Sequence, residues 1–207
     1  MQPLDIFDES DVLADELLAV IDVPLIDESL RARSSDVASS LALEYWHSAR
    51  VLLRSGYLPS ALVVHRAQFE ALTRSIWIAY AASNEHITKL TAVLSLESEQ
   101  AAKNMPQVAE MMQELAKKAP PQAYDALNRF KESSWKTLNS YAHAGIHPIH
   151  RHHDGYPVKL LHDVLCNTNG IAVMTCMQAV VLSDQQPLQR KLLELAGKHQ
   201  ACMPKPL

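Results

Sequence analysis

The segment from Pro157 to Leu182 constrains the fold more than any other. Proline fits the first turn of a helix, and after Gly170 the run IAVMTCMQAVVL is apolar nearly all round. A helix of that kind has no face for water, so other helices must surround it. Ile171–Leu182 also contains Thr175 and Gln178 and is too short to cross a hydrocarbon core of roughly 30 Å. The expectation is a central buried helix, with Asn169-Gly170 as a kink or interruption.

The rest of the chain supplies the surrounding helices. Asp8 or Ser10 can cap a first short helix with Val12, Leu13, Leu17 and Leu18 as its stripe, ended by Pro24. Ser34 or Ser35 can cap a second, running to about Ser55, where Gly56 stops it. Pro59 starts a third, to about Ala82, and Asn84 caps a weaker fourth. A helix from Pro106 ends at Pro120-Pro121, and another covers Gln122 to Ala144. A linker, Gly145–Tyr156, precedes the central helix. Pro187 starts a last short helix before a frayed MPKPL tail. With only five glycines in 207 residues, a turn-rich β fold is excluded. The predicted fold is all-α: an antiparallel bundle of four to five long helices with short flanking ones, the Leu58–Ala82 and Gln122–Ala144 helices packed as neighbours. The predicted organisation is an acidic N-terminal helix or arm (1–30), one bundle domain (31–200) and a tail (201–207).

Charge is unevenly placed. The first 30 residues hold nine acids and no Lys or Arg, whereas the rest of the chain holds all 19 basic side chains against 14 acids. Such an arm can shield an anion-binding surface, or it can be a solvated amphipathic helix, the commoner case. The acidic N-terminus lacks the basic-then-apolar pattern of a signal peptide. Cys166, Cys176 and Cys202 are odd in number and lack ligand spacing, as in reduced, mostly buried thiols. These features predict a cytoplasmic protein with no membrane partner.

Titratable groups concentrate in WKTLNSYAHAGIHPIHRHHD, Trp135 to Asp154, which contains five of the ten histidines. Asn139 and His143, four apart on one helix, share a face, and an amide one turn away can hold a histidine in one tautomer for acid–base work. The competing reading is a helix-terminal imidazolium at the negative end of the dipole. Tyr141 lies on a different side. On the Pro59 helix, Arg66, Glu70 and Arg74 are spaced by four, so a carboxylate sits between two guanidiniums with donors left for a phosphate or carboxylate. The competing reading is an exposed ion pair worth a few tenths of a kcal/mol. The surplus positive charge of this trio predicts one polar cleft holding Arg66, Glu70, Arg74 and His143, rimmed by His147–Asp154. His143 and His147 have an H-x3-H spacing, but Gly145 intervenes, Pro148 should push His147 out of helical geometry and no adjacent Glu follows. A solvated, partly cationic loop is the reading preferred over a metal site, and no cofactor is expected.

LNSYAHAGIHPIHR, preceded by HRAQFEALTR, resembles a group of uncharacterised bacterial helical proteins with a Y-[TA]-H-[GA]-G segment followed by a basic residue. That group in turn resembles the HEPN superfamily of helical bundles, many of them metal-independent ribonucleases of toxin–antitoxin and phage-defence systems. The superfamily motif is Arg-Asn, or Arg and another polar residue, then three residues and His. Asn139 and His143 match it; the Arg position is Leu138. Gly145, His147 and Arg151 match the nearer group only. The resemblance implies a ribonuclease or degenerate relative, with His143, Asn139, Arg74 and Tyr141 as catalytic candidates. Arg66, Glu70, His147 and Arg151 would bind the ligand, and no metal is implied. It also implies a homodimer, with RNA or a nucleotide as ligand and a regulatory protein as a further partner. The alternatives are a non-catalytic module that binds nucleotide, RNA or protein, and a scaffold whose polar residues only order the core.

Overall fold

The computed structural model describes residues 5–205, and every regular element among them is helical. In chain order these are α1 (Ile6–Ile21), α2 (Leu30–Arg54), α3 (Leu58–Tyr80), α4 (Asn84–Thr91), α5 (Leu96–Ala101), α6 (Val108–Lys118), α7 (Pro121–Ala142), α8 (Ile146–Asp154), α9 (Val158–Leu182) and α10 (Leu188–Lys198). Short 3-10 turns occupy Ala102–Asn104 and Gln200–Cys202.

The bundle consists of α2, α3, α7 and α9, each 22 to 25 residues long. Its partners are fixed by buried contacts. Arg31 donates to the Ile78 carbonyl at 2.6 Å and the Ser39 and Ser75 hydroxyls meet at 2.7 Å, so α2 and α3 run antiparallel. Trp46 reaches Asn169, and Gln178 lies 3.4 Å from Ser35, so α9 runs antiparallel to α2. Phe69 of α3 packs on Phe130 and Trp135 of α7, which makes the two helices neighbours. Small side chains at Ser35, Ser39 and Ser75 let α2 and α3 approach closely, while their hydroxyls satisfy one another.

Tertiary partners moved the helix starts. Asp5 caps α1 and Ser29 caps α2. Ser10 and Ser35, each an expected cap, lie inside their helices because their hydroxyls bond across the core to Asn169 and to Ser75. Ser83 rather than Asn84 caps α4, with His86 closing the capping box.

The acidic segment packs against the bundle as a helix. Leu13 and Leu17 of α1 are fully buried with Ala172, Val173, Cys176 and Leu192 from α9 and α10. Three of its carboxylates pair with Arg or Lys: Asp11 with Arg50 and Arg54, Asp8 with Arg54, and Glu16 with Lys198. His199, buried, lies between Glu9 (2.6 Å) and Glu16 (2.8 Å). Burial pushes the Arg50 guanidinium below its ordinary value, and Asp11 opposes that shift.

α9 is continuous through Asn169-Gly170. Gly170 is required by close approach rather than by a kink, since a Cβ there would come within 2.8 Å of Pro204. The C-terminal segment is accordingly held rather than frayed. Asn169 donates to the Cys202 carbonyl at 2.9 Å, and Cys202 is buried; Pro206 and Leu207 lie outside the described residues. α9 is long and apolar enough to cross a bilayer, but two thirds of its apolar window is buried inside the bundle. The apolar surface of α9 is thus covered by α1, α2, α3 and α10. All three cysteines are free and buried, and burial pushes their thiols up to about 11 for Cys166 and about 12 for Cys176 and Cys202.

Candidate functional site

The candidate site lies where α3 meets the C-terminal half of α7. Arg66 Nε donates to Asn139 Oδ1 at 2.8 Å, joining the two helices by side chains 73 positions apart. Its two terminal nitrogens grip both Glu70 oxygens, at 3.1 and 3.0 Å, one helical turn along α3. The guanidinium stacks over Trp135 at 4.9 Å, and Trp135 in turn packs on Phe69. Three of the five Arg66 N–H donors are engaged, and Glu70 balances the charge. Arg66 and Glu70 are partly exposed, so the unit lies at the surface.

Arg74 does not join it. It turns the other way, to the Pro106 carbonyl at 3.3 Å and a groove beside α2 and α4. Burial lowers its ordinary pKa, with Glu70 opposing from a distance. The expected trio is therefore a pair plus a separate arginine. The cause is drift: residues four apart rotate by about 40° per step, and two steps carry Arg74 off the α7 side.

His143 is the residue that closes α7, its backbone N–H bonded to the Asn139 carbonyl. Its imidazole is exposed and makes no hydrogen bond to a described residue. Tyr141 points inward instead. It is buried with Leu138, Leu53 and Leu165, and burial together with the Tyr156 phenol raises its pKa, while Arg151 opposes. A phenol so placed packs the core and is not a proton carrier near neutral pH. Arg151 itself is exposed.

The segment read as a linker is α8. The turn before it uses Ala144 at φ 49°, while Gly145 is extended, and a Cβ on Gly145 would come within 2.6 Å of Ser140 Oγ. Pro148 falls in the first turn of α8, where no N–H is needed, so His147 is helical after all. The Ser140 hydroxyl accepts from the His147 N–H at 3.2 Å. α8 buries no residue, and it exposes His147, His150, Arg151, His152 and His153. His150 and His153 both face Asp154. Among the described residues, no three His, Cys, Asp or Glu side chains are grouped to hold a metal ion.

Sequence reasoning overlooked the interior side of α3. His65 is 2% exposed, its Nδ1 2.9 Å from Gln68 Oε1 and its ring edge-on to Phe130. Gln68 passes the link on to the Thr168 carbonyl of α9 at 3.0 Å. His65 Nε2 has no partner among the described residues, and burial drives the imidazole down to about 4. The i, i+3 spacing of His65 and Gln68 within an apolar run was the available signal.

No curated protein and no solved structure matches the chain. A family match covers residues 39–205, from within α2 to the C-terminal segment, and leaves α1 outside. It thus includes Arg66, Glu70, Asn139, His143 and all of α8. By that match the chain belongs to the family of unknown function DUF6988.

Proposed function

We propose that this chain is a HEPN-like protein that engages RNA at the α7–α8 end of the bundle, as a metal-independent ribonuclease of bacterial toxin or phage-defence systems. The observation that carries the reading is the 2.8 Å bond from Arg66 to Asn139. It supplies an arginine to the Asn-x3-His segment from a neighbouring helix, where the chain itself has Leu138. His143, exposed and without a side-chain hydrogen bond to a described residue, is the acid–base group: it accepts the proton of a ribose 2′-hydroxyl as that oxygen attacks the adjacent phosphorus. The bond to the 5′-oxygen then breaks and a proton is returned to that oxygen. Arg151 and His147 offer donors to the phosphate. Asn139, fixed by Arg66, orients the site, and Tyr141 supports it from the core.

A second reading has its own support. Glu70 neutralises Arg66, which weakens that arginine as a stabiliser of developing phosphoryl charge and favours a non-catalytic nucleotide-, RNA- or protein-binding module. We place the proposed homodimer contact at the same end, where Ile146, Ile149 and Val158 are exposed. A regulatory protein partner and a cytoplasmic location belong to the same proposal.

The test is cleavage of single-stranded RNA in chelator. His143→Ala is expected to reduce cleavage by about a hundredfold or more while leaving the melting temperature unchanged, since the ring is exposed. Arg66→Ala should lower both, because it strands Glu70 and frees Asn139. Wild type that binds RNA without cutting it establishes the module reading, and cleavage that survives His143→Ala removes this site from consideration. Sedimentation of the wild type at micromolar concentration decides the dimer.

A further inference from the structure

A second region of the molecule is unexplained by the α7–α8 site. Beside α2, a groove of about 430 Å³ is floored by Ala38 and Ile78 and walled by Leu30, Val37, Leu41 and Leu90. Large apolar side chains here face solvent: Val37 is 67% exposed, and Val93 and Leu94, which follow α4 directly, are 88% and 87% exposed. Scattered exposed aliphatics need no explanation, but a groove lined by them, with further exposed aliphatics two and three residues beyond its Thr91 edge, does. On α2 the exposed residues recur at Leu30, Val37 and Leu41, steps of seven and four, so they form one seam about 16 Å long, three helical turns.

The charge on this seam has one sign. Arg33 and Arg74 both line the groove. Among the described residues, the Arg33 guanidinium makes no hydrogen bond or ion pair, and the Arg74 guanidinium makes only the long contact to the Pro106 carbonyl. The carboxylate nearest Arg74 in sequence, Glu70, is already held by both terminal nitrogens of Arg66. Asp36 is half-buried and is not part of the groove lining. The Arg74 guanidinium, partly withdrawn from water against aliphatic walls while Glu70 is committed to Arg66, is complementary to an anion carried on an apolar body, and the exposed Arg33 adds a second positive charge beside it.

We propose that the α2–α4 groove docks an amphipathic helix of a partner protein, with aliphatic anchors along the seam and acidic side chains set against Arg33 and Arg74. The length and openness of the seam suit a helix laid in a groove, whose anchors recur at one-turn spacing. A second copy of this chain is disfavoured by the same charges, since a two-fold contact over this groove would set one cationic lining against another of the same sign. The proposal is independent of the RNA reading, and its test does not involve RNA.

The probe is a pair of fluorescein-labelled helical peptides measured by anisotropy against the full chain. One carries leucines at i, i+4, i+7 and i+11 flanked by glutamates; its twin has lysine for every glutamate. The glutamate peptide is expected to bind saturably in the micromolar range, and the twin at least roughly tenfold more weakly. Val37→Glu should abolish binding with an unchanged thermal melt, because Val37 is exposed, and Arg74→Gln should weaken it roughly tenfold. Equal binding of the twins, or no saturable binding, overturns the proposal. So does a wild-type dimer in sedimentation that Val37→Glu dissociates, which would give the groove to a second copy. Saturable binding of dodecanoate without binding of the glutamate peptide also overturns it and reassigns the groove to small amphiphiles.

Discussion

Asn169→Leu is expected to lower the midpoint of thermal unfolding by roughly 8–16 °C, the largest effect of any single substitution considered for this fold. Asn169 is fully buried in α9 and uses both ends of its amide. Its oxygen accepts from Trp46 Nε1 at 2.8 Å and from Ser10 Oγ at 3.1 Å, and its nitrogen donates to the Cys202 carbonyl at 2.9 Å. One side chain thereby ties α1, α2, α9 and the C-terminal segment together. Leucine has a similar volume but answers none of these groups. Leaving buried donors and acceptors unmet costs about 1–3 kcal/mol each, and partial rearrangement of the Ser10 hydroxyl brings the sum to about 4 kcal/mol. Ser10→Ala removes one member only and should cost about 1 kcal/mol. Differential scanning calorimetry of the three proteins separates the cases. A midpoint for Asn169→Leu close to that of Ser10→Ala would show that the network does not act as a unit.

The second large effect is on acid stability, through His65. In the unfolded chain this imidazole takes a proton near pH 6.5; in the folded protein it does so only near pH 4, because the protonated ring would be buried with Nε2 unpartnered. Between those values the unfolded state binds more protons, so stability falls as pH falls. The contribution of His65 is complete above pH 6.5, is lost progressively down to pH 4 and is flat below. The total is about 3 kcal/mol at 1.36 kcal/mol per unit of separation. Urea unfolding of wild type and His65→Leu at pH 7, 5.5 and 4 measures it. Leucine should remove most of the slope through this window, at the expense of an unmet Gln68 Oε1 at every pH. Parallel pH profiles for the two proteins would show that His65 does not govern acid stability.

The helical architecture was legible in the sequence, and so was the pairing of α3 with α7. Proline positions, sparse glycine and 3.6-residue apolar periodicity are local properties, and they specify where helices start and which stripe each must bury. The central place of α9 follows from the same rule, since a helix without a polar face has to be enclosed. The linker expected over 145–156 is instead largely helical, because Pro148 occupies a first-turn position where its missing N–H has no consequence.

The site was legible only in its parts. The sequence placed Asn139 and His143 on one turn and Arg66 and Glu70 on another, because i, i+4 spacing is a property of a single helix. Which of these turns meet was decided by tertiary packing. Rotation along α3 brought Arg66 to Asn139 and carried Arg74 to the opposite groove, and inward rotation of α7 placed Tyr141 in the core. The same distinction applies to the polar interior. Ser10 and Ser35 read locally as caps and Asn169 as part of a kink, while His65 carries no local signal of its place; each is buried in a contact between helices. Burial makes an unpaired polar group costly, so its partner is chosen by whichever helix lies opposite, and that neighbour is set by the packing of the whole bundle rather than by any window of sequence.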